Sequence, residues 1–183
     1  MISRIIGLFL FILLSPFFLV ISLVIYMNDG FPALYKQKRI GKNNDEFWMY
    51  KFRTMKIETP DIPTHLVKEA QKYNTTIGPI LRKLSIDELP QLINILKGEM
   101  VFVGPRPALH NQDDLVELRT RVGVNELMPG VTGWAQVNGR DELSIPLKVQ
   151  FDEYYLKNRS WLLDLKIVFL TLLRVLGMKG VSH

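Results

Sequence analysis

Residues 85–98 have the sequence Ser-Ile-Asp-Glu-Leu-Pro-Gln-Leu-Ile-Asn-Ile-Leu-Lys-Gly and predict a helix with two adjacent carboxylates at its start. Ser85 is followed three residues later by Glu88, which is the spacing of a capping box. Gly98 is typical of the residue that ends a helix. We therefore expect Asp87 and Glu88 in the first helical turn.

Apolar residues in this stretch recur at helical spacing and predict one buried face. They are Leu89, Leu92, Ile93 and Leu96. This face would anchor the helix in a core and hold the carboxylates at the positive end of the helix dipole, which favours ionised side chains. We therefore expect a lowered pKa for Asp87, and a charged carboxylate that can attack an electrophile or bind a hard cation.

The pair Asp87 and Glu88 is by itself a weak indication of catalysis. Neighbouring side chains point about 100° apart around a helix, so these two do not face each other as an acid and base would. They could still share one metal ion. Acidic residues in a first turn are also ordinary capping residues, and for the isolated pair capping is the better interpretation.

The composition allows one domain with a sizeable core and excludes some kinds of chemistry. The chain has 183 residues and no Cys, so disulfides and thiolate chemistry are excluded. Its three His residues are far apart in sequence and form no metal-binding pattern. The net charge of +5 and the isoelectric point near 9.4 fit an anionic membrane, a phosphorylated substrate or nucleic acid equally well.

Residues 5–28 carry no charge and predict a membrane segment, because a helix of this length exceeds the roughly 30 Å of bilayer hydrocarbon. Only Arg4 precedes the segment and several cations follow it, so the positive-inside rule predicts a spanning helix with the following domain in the cytoplasm. Pro16 in the middle would bend the helix, and the Ser15 hydroxyl can bond a carbonyl one turn back. A helix bent in this way could instead enter and leave the same leaflet.

Two short strands, at residues 31–38 and 47–55, predict a β-hairpin around a Gly-Lys-Asn-Asn turn. Lys51 and Arg53 lie two residues apart in the second strand and therefore share one of its faces. Two cations on one face suit an anion, but they suit a solvated surface equally well.

Residues 100–103 predict a short buried strand that leads into Gly-Pro-Arg-Pro at residues 104–107. The two prolines fix the backbone on both sides of Arg106, which suits a bidentate phosphate contact or, equally, a structural turn with a solvated arginine. Arg82 adds a cation shortly before the carboxylates. Carboxylates beside arginines suit metal-assisted chemistry on a phosphate ester next to a membrane, with Asp87 as the nucleophile.

Two helices are predicted near the C-terminus. The first, at residues 148–156, is expected to expose Tyr154 and Tyr155. The second, at residues 161–176, begins after a capping Ser160 and is too short to span a bilayer comfortably. It either fills a core or lies in the headgroup plane, and the N-terminal membrane segment favours the interfacial position.

Four short segments resemble, in the same order, the motifs of the bacterial sugar transferases, the small monotopic phosphoglycosyl transferases. They are YKFRTM at 50–55, DELPQL at 87–92, VGPRP at 103–107 and PGVTGWAQVNGR at 129–140. The resemblance extends over essentially the whole chain. Each motif alone is weak, but four in order make a chance match very improbable.

The resemblance implies a helix-dominated α+β fold with a small β-hairpin and interfacial amphipathic helices. Residues 1–28 would form a re-entrant membrane helix that is broken at Ser15-Pro16, with both ends on the cytoplasmic side. Residues 29–183 would form a catalytic domain on the cytoplasmic face of the bacterial inner membrane. This topology replaces the spanning helix that the positive-inside rule predicts.

The resemblance also implies a reaction, in which a sugar 1-phosphate passes from a UDP-sugar to undecaprenyl phosphate and UMP is released. This would be the initiating step in the synthesis of a capsule, an O-antigen or a glycoprotein glycan, so later glycosyltransferases are implied as partners. The mechanism would be ping-pong, with a covalent phosphosugar on Asp87, and Glu88 would assist Asp87 in holding Mg²⁺. The implied phosphate-binding residues are Lys51, Arg82 and Arg106, and Arg140 would contact the nucleotide sugar.

Residues 58–74, which include a Thr-Pro pair and His65, differ from the commoner acidic loop of the family. They resemble members that act on N-acetylated deoxysugars. A UDP-N-acetylated 6-deoxyhexose is therefore the hypothesis for the donor, and UDP-galactose and UDP-glucose remain open.

Two other classes of function are compatible with the composition. A non-catalytic membrane-surface adaptor would use the basic face for anionic lipid. A membrane-tethered nucleic-acid binder ranks last, because the sequence lacks interleaved basic and aromatic patches, and we expect no nucleic-acid partner.

Overall fold

Helices form most of the regular structure in the computed structural model, which describes residues 2–59, 70–139 and 143–177. The helices are α1 (Ile2–Asp29), α2 (Gly78–Lys83), α3 (Gln91–Lys97), α4 (Asp113–Arg121), α5 (Trp134–Asn138), α6 (Ile145–Asn158) and α7 (Trp161–Gly177). The strands are β1 (Leu34–Ile40), β2 (Glu46–Phe52), β3 (Val101–Val103), β4 (Ala108–Leu109) and β5 (Gly130–Thr132). The helix-dominated α+β prediction is confirmed.

Helix α1 lies against the rest of the chain along its whole length. Near its N-terminus, Arg4 Nη2 donates to the carbonyl oxygen of Lys97 at 3.1 Å, and Gly7 packs against side chains of α3. At its C-terminus, Asp29 Oδ1 accepts a hydrogen bond from the Thr76 amide at 3.2 Å. Both ends of α1 are therefore attached to the domain that follows it.

The two faces of α1 differ in exposure. Ile21 and Ile25 are buried in a core cluster with Phe52 and Leu81. The opposite face is apolar and exposed; it includes Ile5, Leu8, Phe9, Ile12, Leu13, Leu19, Val20, Leu23 and Met27. The 28 residues of α1 extend about 42 Å, and by length and composition the helix could cross a membrane.

The middle of α1 contains the predicted proline. The helix continues through Pro16, and the Ser15 hydroxyl donates to the carbonyl oxygen of Ile12 at 2.8 Å. The expected serine bond to the preceding turn is therefore present. It supplies a donor to the carbonyl oxygen of Ile12, which would otherwise accept from the amide of residue 16, because proline has no amide hydrogen.

The predicted β-hairpin is confirmed, with slightly different bounds. Strands β1 and β2 are antiparallel, and β4 joins the other edge of β1. The free edge of β2 is satisfied by the Asn94 side chain, which donates to the carbonyl oxygen of Trp48 at 2.7 Å and accepts from the Tyr50 amide at 3.1 Å. An amide side chain thus replaces a neighbouring strand and fixes α3 against the hairpin.

The second sheet contains the parallel pair β3 and β5, with Val101 opposite Gly130 and Val103 opposite Thr132. Phe102 of β3 packs against two core clusters. One of them includes the N-terminal half of α1 and the other includes α7. The predicted strand at residues 100–103 is thereby confirmed as a central element of the core.

The stretch at residues 85–98 forms two helical pieces instead of one. Ser85 has left-handed backbone angles (φ 55°, ψ 21°) and makes no capping hydrogen bond, so the predicted capping box is wrong. Asp87 and Glu88 lie in a 3₁₀ turn, Ile86–Glu88, and α3 begins directly after Pro90. Pro90 has no amide hydrogen to continue a helical ladder from the preceding turn, which explains the division.

The rest of the prediction for this helix is partly correct. Gly98 ends α3 with φ 82°, as expected. Leu92 is buried, whereas the other three predicted face residues are partly buried. Ile95 is fully buried although it lies outside the predicted face, because α1 and β2 cover a wider side of the helix than the apolar spacing suggests.

The C-terminal helices agree with the prediction except at one residue. The Ser160 hydroxyl accepts from the Leu163 amide at 3.3 Å and so caps α7. Tyr154 is 47% exposed, but Tyr155 is only 2% exposed and its prediction as a surface residue is wrong. The Tyr155 hydroxyl donates to Asp164 Oδ1 at 2.7 Å, which satisfies its polar end inside the core.

Helix α7 presents an apolar face that is not covered by the described residues. Its exposed side chains are Trp161, Leu162, Leu165, Val168, Phe169, Leu172 and Leu173. The opposite side is anchored by Ile167, which is fully buried. The helix is therefore amphipathic in the folded chain, with one side in the core and one free apolar side.

Candidate active site

The two carboxylates lie in the turn between α2 and α3, next to the end of strand β2. Asp87 is 6% exposed, so its side chain is inside the protein surface. The Glu88 side chain keeps 20% of its surface exposed. Lys51 reaches the turn from β2 and Arg106 reaches it from the loop after β3. The fold thus brings together residues that are far apart in the sequence.

Glu88 is the charged anchor of the site. Its Oε1 atom accepts hydrogen bonds from Lys51 Nζ and from Arg106 Nη2, each at 2.9 Å. Burial opposes ionisation of Glu88, but the positive charges of Arg106 and Lys51 outweigh it and hold the pKa of this carboxyl well below its usual range. Glu88 is therefore ionised throughout the physiological pH range.

Asp87 has the opposite character. Burial raises its pKa to about 6, an effect that Lys51 counteracts and the neighbouring charge of Glu88 increases. The predicted lowering by a helix dipole is wrong, because Asp87 lies in a 3₁₀ turn before α3 and in a poorly solvated position. At neutral pH most of the carboxyl groups are still ionised. Among the described residues, no cation forms a salt bridge with Asp87.

Arg82 lies in the last turn of α2, close enough to Asp87 for their charges to interact. Its Nη2 donates to the carbonyl oxygen of Thr54 at 3.3 Å and to Asn74 Oδ1. Burial lowers the pKa of Arg82, and the charge of Asp87 partly opposes that change. Arg82 Nε is buried and has no hydrogen-bond partner among the described residues.

The loop that carries Arg106 is packed backbone to backbone against the start of β5. The Gly104 amide donates to the carbonyl oxygen of Thr132 at 2.8 Å, and the Gly130 amide donates to that of Pro105 at 2.9 Å. A Cβ atom at Gly130 would overlap the Gly104 amide nitrogen. Glycine is therefore required here by close approach, and the contact holds the Arg106 loop at a fixed place.

Arg53 does not join Lys51 in an anion site. Its guanidinium donates to the backbone carbonyls of Asp29, Gly30 and Phe31 at 2.7, 2.6 and 3.0 Å, and it is only 5% exposed. The structure thus assigns Arg53 to the C-terminal end of α1, where free carbonyls need donors. One feature of the sequence is consistent with this role. Helix α1 has no basic residue in its last turn, so its C-terminal carbonyls need a donor from elsewhere in the chain.

Arg140, the remaining predicted site residue, lies outside the described residues, as does His65. The structure therefore joins Lys51 and Arg106 directly to Glu88, and it places Asp87 and Arg82 close enough for their charges to interact with this group. This is the set expected for the phosphate site, apart from Arg140.

A divalent cation fits part of this arrangement. The described residues contain no group of three or more His, Asp and Glu side chains that could hold a metal ion. Asp87 and the second oxygen of Glu88 are nevertheless compatible with Mg²⁺, because this ion is commonly held by one or two carboxylates together with substrate phosphates and water. Glu88 Oε1 is less suited to this task, since Lys51 and Arg106 already occupy it.

Carboxylates that are buried or partly buried among lysine and arginine side chains suit phosphate-ester chemistry. The chain belongs to the bacterial sugar transferase family, whose sequence pattern matches residues 1–178. The family resemblance of the four motifs is thus confirmed.

Individual relatives agree with the family assignment. The chain is 42% identical to the uncharacterized sugar transferase EpsL of Bacillus subtilis over 97% of this chain and 86% of EpsL. It is 37% identical to the exopolysaccharide production protein ExoY of Rhizobium meliloti over 92% of this chain and 81% of ExoY. It is also 35% identical to the UDP-glucose:undecaprenyl-phosphate glucose-1-phosphate transferase of Escherichia coli over 89% of this chain, but over only 37% of that longer protein.

Proposed function

We propose that this protein transfers a sugar 1-phosphate from a UDP-sugar to undecaprenyl phosphate and releases UMP, as a phosphoglycosyl transferase. The observation that carries the proposal is the contrast between the two carboxylates. Glu88 is fixed by Lys51 and Arg106, whereas the buried Asp87 has a raised pKa and no salt bridge among the described residues. The name of the Escherichia coli relative supports the reaction class.

Asp87 is the proposed nucleophile. In the first half-reaction, its carboxylate oxygen attacks the phosphorus that carries the sugar. The bond from that phosphorus to the oxygen shared with the UMP phosphate breaks, and UMP leaves with the bonding electrons. The product is an aspartyl-phosphosugar, and a poorly solvated carboxylate that forms no salt bridge with the described residues is suited to this attack.

The second half-reaction restores the carboxylate. An oxygen of undecaprenyl phosphate attacks the same phosphorus, and the bond to Asp87 breaks. The lipid leaves as a sugar-linked undecaprenyl diphosphate. In both steps Lys51, Arg82 and Arg106 bind phosphoryl oxygens, while Glu88 orients Lys51 and Arg106 and balances part of their charge.

Mg²⁺ is the proposed cofactor, with Asp87 and Glu88 as its protein ligands. When bound, it would neutralise the phosphoryl oxygens and stabilise UMP as a leaving group. The remaining ligands would be phosphate oxygens and water, as is usual for this ion.

Turnover by purified protein tests the proposed reaction. Wild-type protein in detergent should release many equivalents of UMP per enzyme only when both UDP-sugar and undecaprenyl phosphate are supplied. Without the lipid, release should stop at about one equivalent, and Asp87→Asn should lose at least about 1,000-fold in rate. Asn is nearly the same size, so folding is an inadequate explanation for such a loss. A non-catalytic membrane adaptor would give no UMP, and its biological effect would survive Asp87→Asn.

The donor is proposed to be a UDP-N-acetylated 6-deoxyhexose. Support comes from the unusual sequence at residues 58–74, of which residues 60–69 lie outside the described residues. The names of relatives specify glucose in Escherichia coli and N-acetylgalactosamine in Aeromonas hydrophila, so the family accepts more than one sugar. A donor panel assayed by UMP release decides the matter. Turnover confined to sugars with a 6-hydroxyl group would rule out the deoxysugar.

For the membrane arrangement, we infer that α1 is re-entrant and that the catalytic domain lies on the cytoplasmic face of the bacterial inner membrane. Support comes from Arg4 and Asp29, which attach opposite ends of α1 to the same domain. A helix that crossed the bilayer would have its ends on opposite sides, so it could not keep both contacts. The apolar face of α7 would then lie in the same interface.

The absence of Cys permits a clean test of this topology. Ile2→Cys and Asn28→Cys place single thiols at the two exposed ends of α1. A membrane-impermeant maleimide should label neither position from the periplasmic side of spheroplasts and both after lysis. Labelling of one end only from the periplasm would establish a spanning helix.

A further inference from the structure

The loop around Arg106 is held by three consecutive carbonyl oxygens. Pro105 and Pro107 have no amide hydrogen, so residues 105–107 have three backbone acceptors but only one backbone donor, the Arg106 amide. The carbonyl oxygen of Pro105 accepts from the Gly130 amide at 2.9 Å. The carbonyl oxygens of Arg106 and Pro107 accept from arginine side chains of other elements.

Arg119 of α4 provides the central contact. Its Nη1 donates to the carbonyl oxygen of Arg106 at 2.8 Å, and its Nε and Nη2 donate to Asp152 Oδ2 of α6 at 3.0 and 2.6 Å. Arg39 of β1 provides the next contact, with Nη1 donating to the carbonyl oxygen of Pro107 at 3.2 Å. A single guanidinium group thus connects α6 to the loop that carries a site residue.

The buried position of this ion pair points to a role beyond stability. Arg119 is 9% exposed and Asp152 only 1%. The free-energy cost of desolvating two buried charges offsets much of their electrostatic attraction. Proteins in which such a pair is replaced by apolar residues of similar volume are often at least as stable. What an apolar pair cannot provide is a directed donor to the Arg106 carbonyl.

We propose that Arg119, held by Asp152, is a positioning residue that fixes Arg106 against Glu88. The connection runs from Asp152 Oδ2 through the Arg119 guanidinium to the Arg106 backbone, and from Arg106 Nη2 to Glu88 Oε1 at 2.9 Å. The sequence motifs do not include Arg119 or Asp152, and neither residue touches the carboxylates. The inference rests on the proposed function, in which Arg106 binds phosphoryl oxygens.

Arg119→Met tests the role, because it keeps an unbranched apolar stem but removes the guanidinium donors. Displacement of a binding group by about 1 Å can cost on the order of 100-fold in rate. We expect kcat/KM for the UDP-sugar to fall about 10- to 100-fold, divided between kcat and KM in the same proportion as for Arg106→Ala. Arg121→Met is the matched control, because Arg121 lies on the same helix but is exposed and paired only with Glu117; it should change kcat/KM less than twofold.

A double-mutant cycle distinguishes positioning from a general loss of structure. If Arg119 acts through Arg106, adding Arg119→Met to Arg106→Ala should reduce kcat/KM by no more than about twofold further. Independent, multiplicative losses would overturn the inference. Should Arg119→Met not fold, Asp152→Asn replaces it in the same cycle, since it keeps an acceptor oxygen but removes the charge that holds Arg119.

The single variants separate the positioning role of Arg119 from the phosphate-binding role of Arg106. A large loss in Arg106→Ala with no loss in Arg119→Met and Asp152→Asn overturns only the positioning role. Unchanged turnover in Arg106→Ala overturns the proposed phosphate-binding role of Arg106 and the inference with it. The expected result is a loss in each of these variants, with the cycle non-additive.

Discussion

At the scale of single residues, the site depends on two adjacent carboxylates with opposite electrostatic environments. Glu88 is surrounded by cations that keep it ionised, whereas burial raises the pKa of Asp87 to about 6. Pairs of titratable groups with separated pKa values are typical of acid, base and nucleophile assignments in enzymes. Glu88 and the proposed nucleophile Asp87 are thus distinguished by their surroundings, since both side chains are carboxylates.

This difference predicts opposite effects of removing the two charges. The folded-state pKa of Asp87 lies above its ordinary value of 3.8, so ionisation of this carboxyl destabilises the folded state. This destabilisation is absent below about pH 4 and complete above about pH 6. Asp87→Asn should therefore stabilise the protein at pH 7.5 by about 2 to 3 kcal/mol. The measurement is thermal unfolding in detergent without added metal, at pH 7.5 and at pH 4.

Glu88→Gln is the matched comparison. Its carboxylate is stabilised in the folded state, so its contribution is present above its unfolded pKa and lost as the pH falls. Removing it leaves Lys51 and Arg106 without their shared anion and should destabilise the protein at pH 7.5 by about 1 to 3 kcal/mol. Destabilisation by both substitutions would contradict the assigned pKa directions.

The same residues show how much of the site could be predicted from the sequence. Their chemistry and their association with Lys51 and Arg106 were predictable from the motifs. The pKa of Asp87 was predicted in the wrong direction, because a helix dipole can be inferred from local sequence but burial cannot. Burial depends on β2 and α2, which are brought to the turn only by folding.

At the scale of elements, α1 is fixed at its C-terminal end by a residue from the strand region. Arg53 donates to three backbone carbonyls at that end and is nearly inaccessible. We predict that Arg53→Met destabilises the protein by about 2 to 4 kcal/mol, because several charge-assisted hydrogen bonds are lost together. Arg4→Met removes one exposed bond at the other end and should cost at most about 1 kcal/mol. Equal effects would contradict the assigned role of Arg53.

The contact between β5 and the Arg106 loop gives another prediction. Gly130→Ala should reduce both folded yield and UMP release, because the added methyl group would overlap the Gly104 backbone. Gly177→Ala is the control, since a Cβ atom there has nothing within 4 Å. Soluble yield in detergent and specific activity are the measurements. Normal activity in Gly130→Ala would mean that the loop tolerates displacement, which would contradict a fixed position for Arg106.

Helices and strands were easier to predict than the breaks within them and the contacts between them. Apolar spacing, the Gly-rich turn and the serine cap were sufficient for the hairpin and for α7. The division at Pro90 was missed, because a capping-box pattern and a proline near a helix start are compatible with one helix in sequence. The Asn94 contact with the edge of β2 has no local sequence signal, since it joins elements far apart in the chain.

At the scale of the whole molecule, the apolar faces of α1 and α7 are exposed on a protein with a net charge of +5. Exposed apolar surface of this extent is typical of contact with a membrane. In the proposed function, this surface would bring a domain with polar chemistry to a phosphate group attached to a long lipid chain.

Trp161, which is 71% exposed at the start of α7, can report on this arrangement. A variant with Trp48→Phe and Trp134→Phe keeps it as the only tryptophan. In vesicles, its fluorescence should be quenched more strongly by lipids brominated near the headgroup than by lipids brominated near the chain end. If neither lipid quenches the fluorescence of Trp161, α7 lies away from the membrane.

Intact-mass spectrometry can detect the covalent bond that we propose between Asp87 and the phosphosugar. Purified protein is incubated with UDP-sugar and Mg²⁺ in the absence of lipid acceptor. We predict a mass increase of one sugar phosphate in wild-type protein and none in Asp87→Asn. No increase with any donor, together with UMP release once undecaprenyl phosphate is added, would contradict the claim and indicate direct transfer between the two bound substrates.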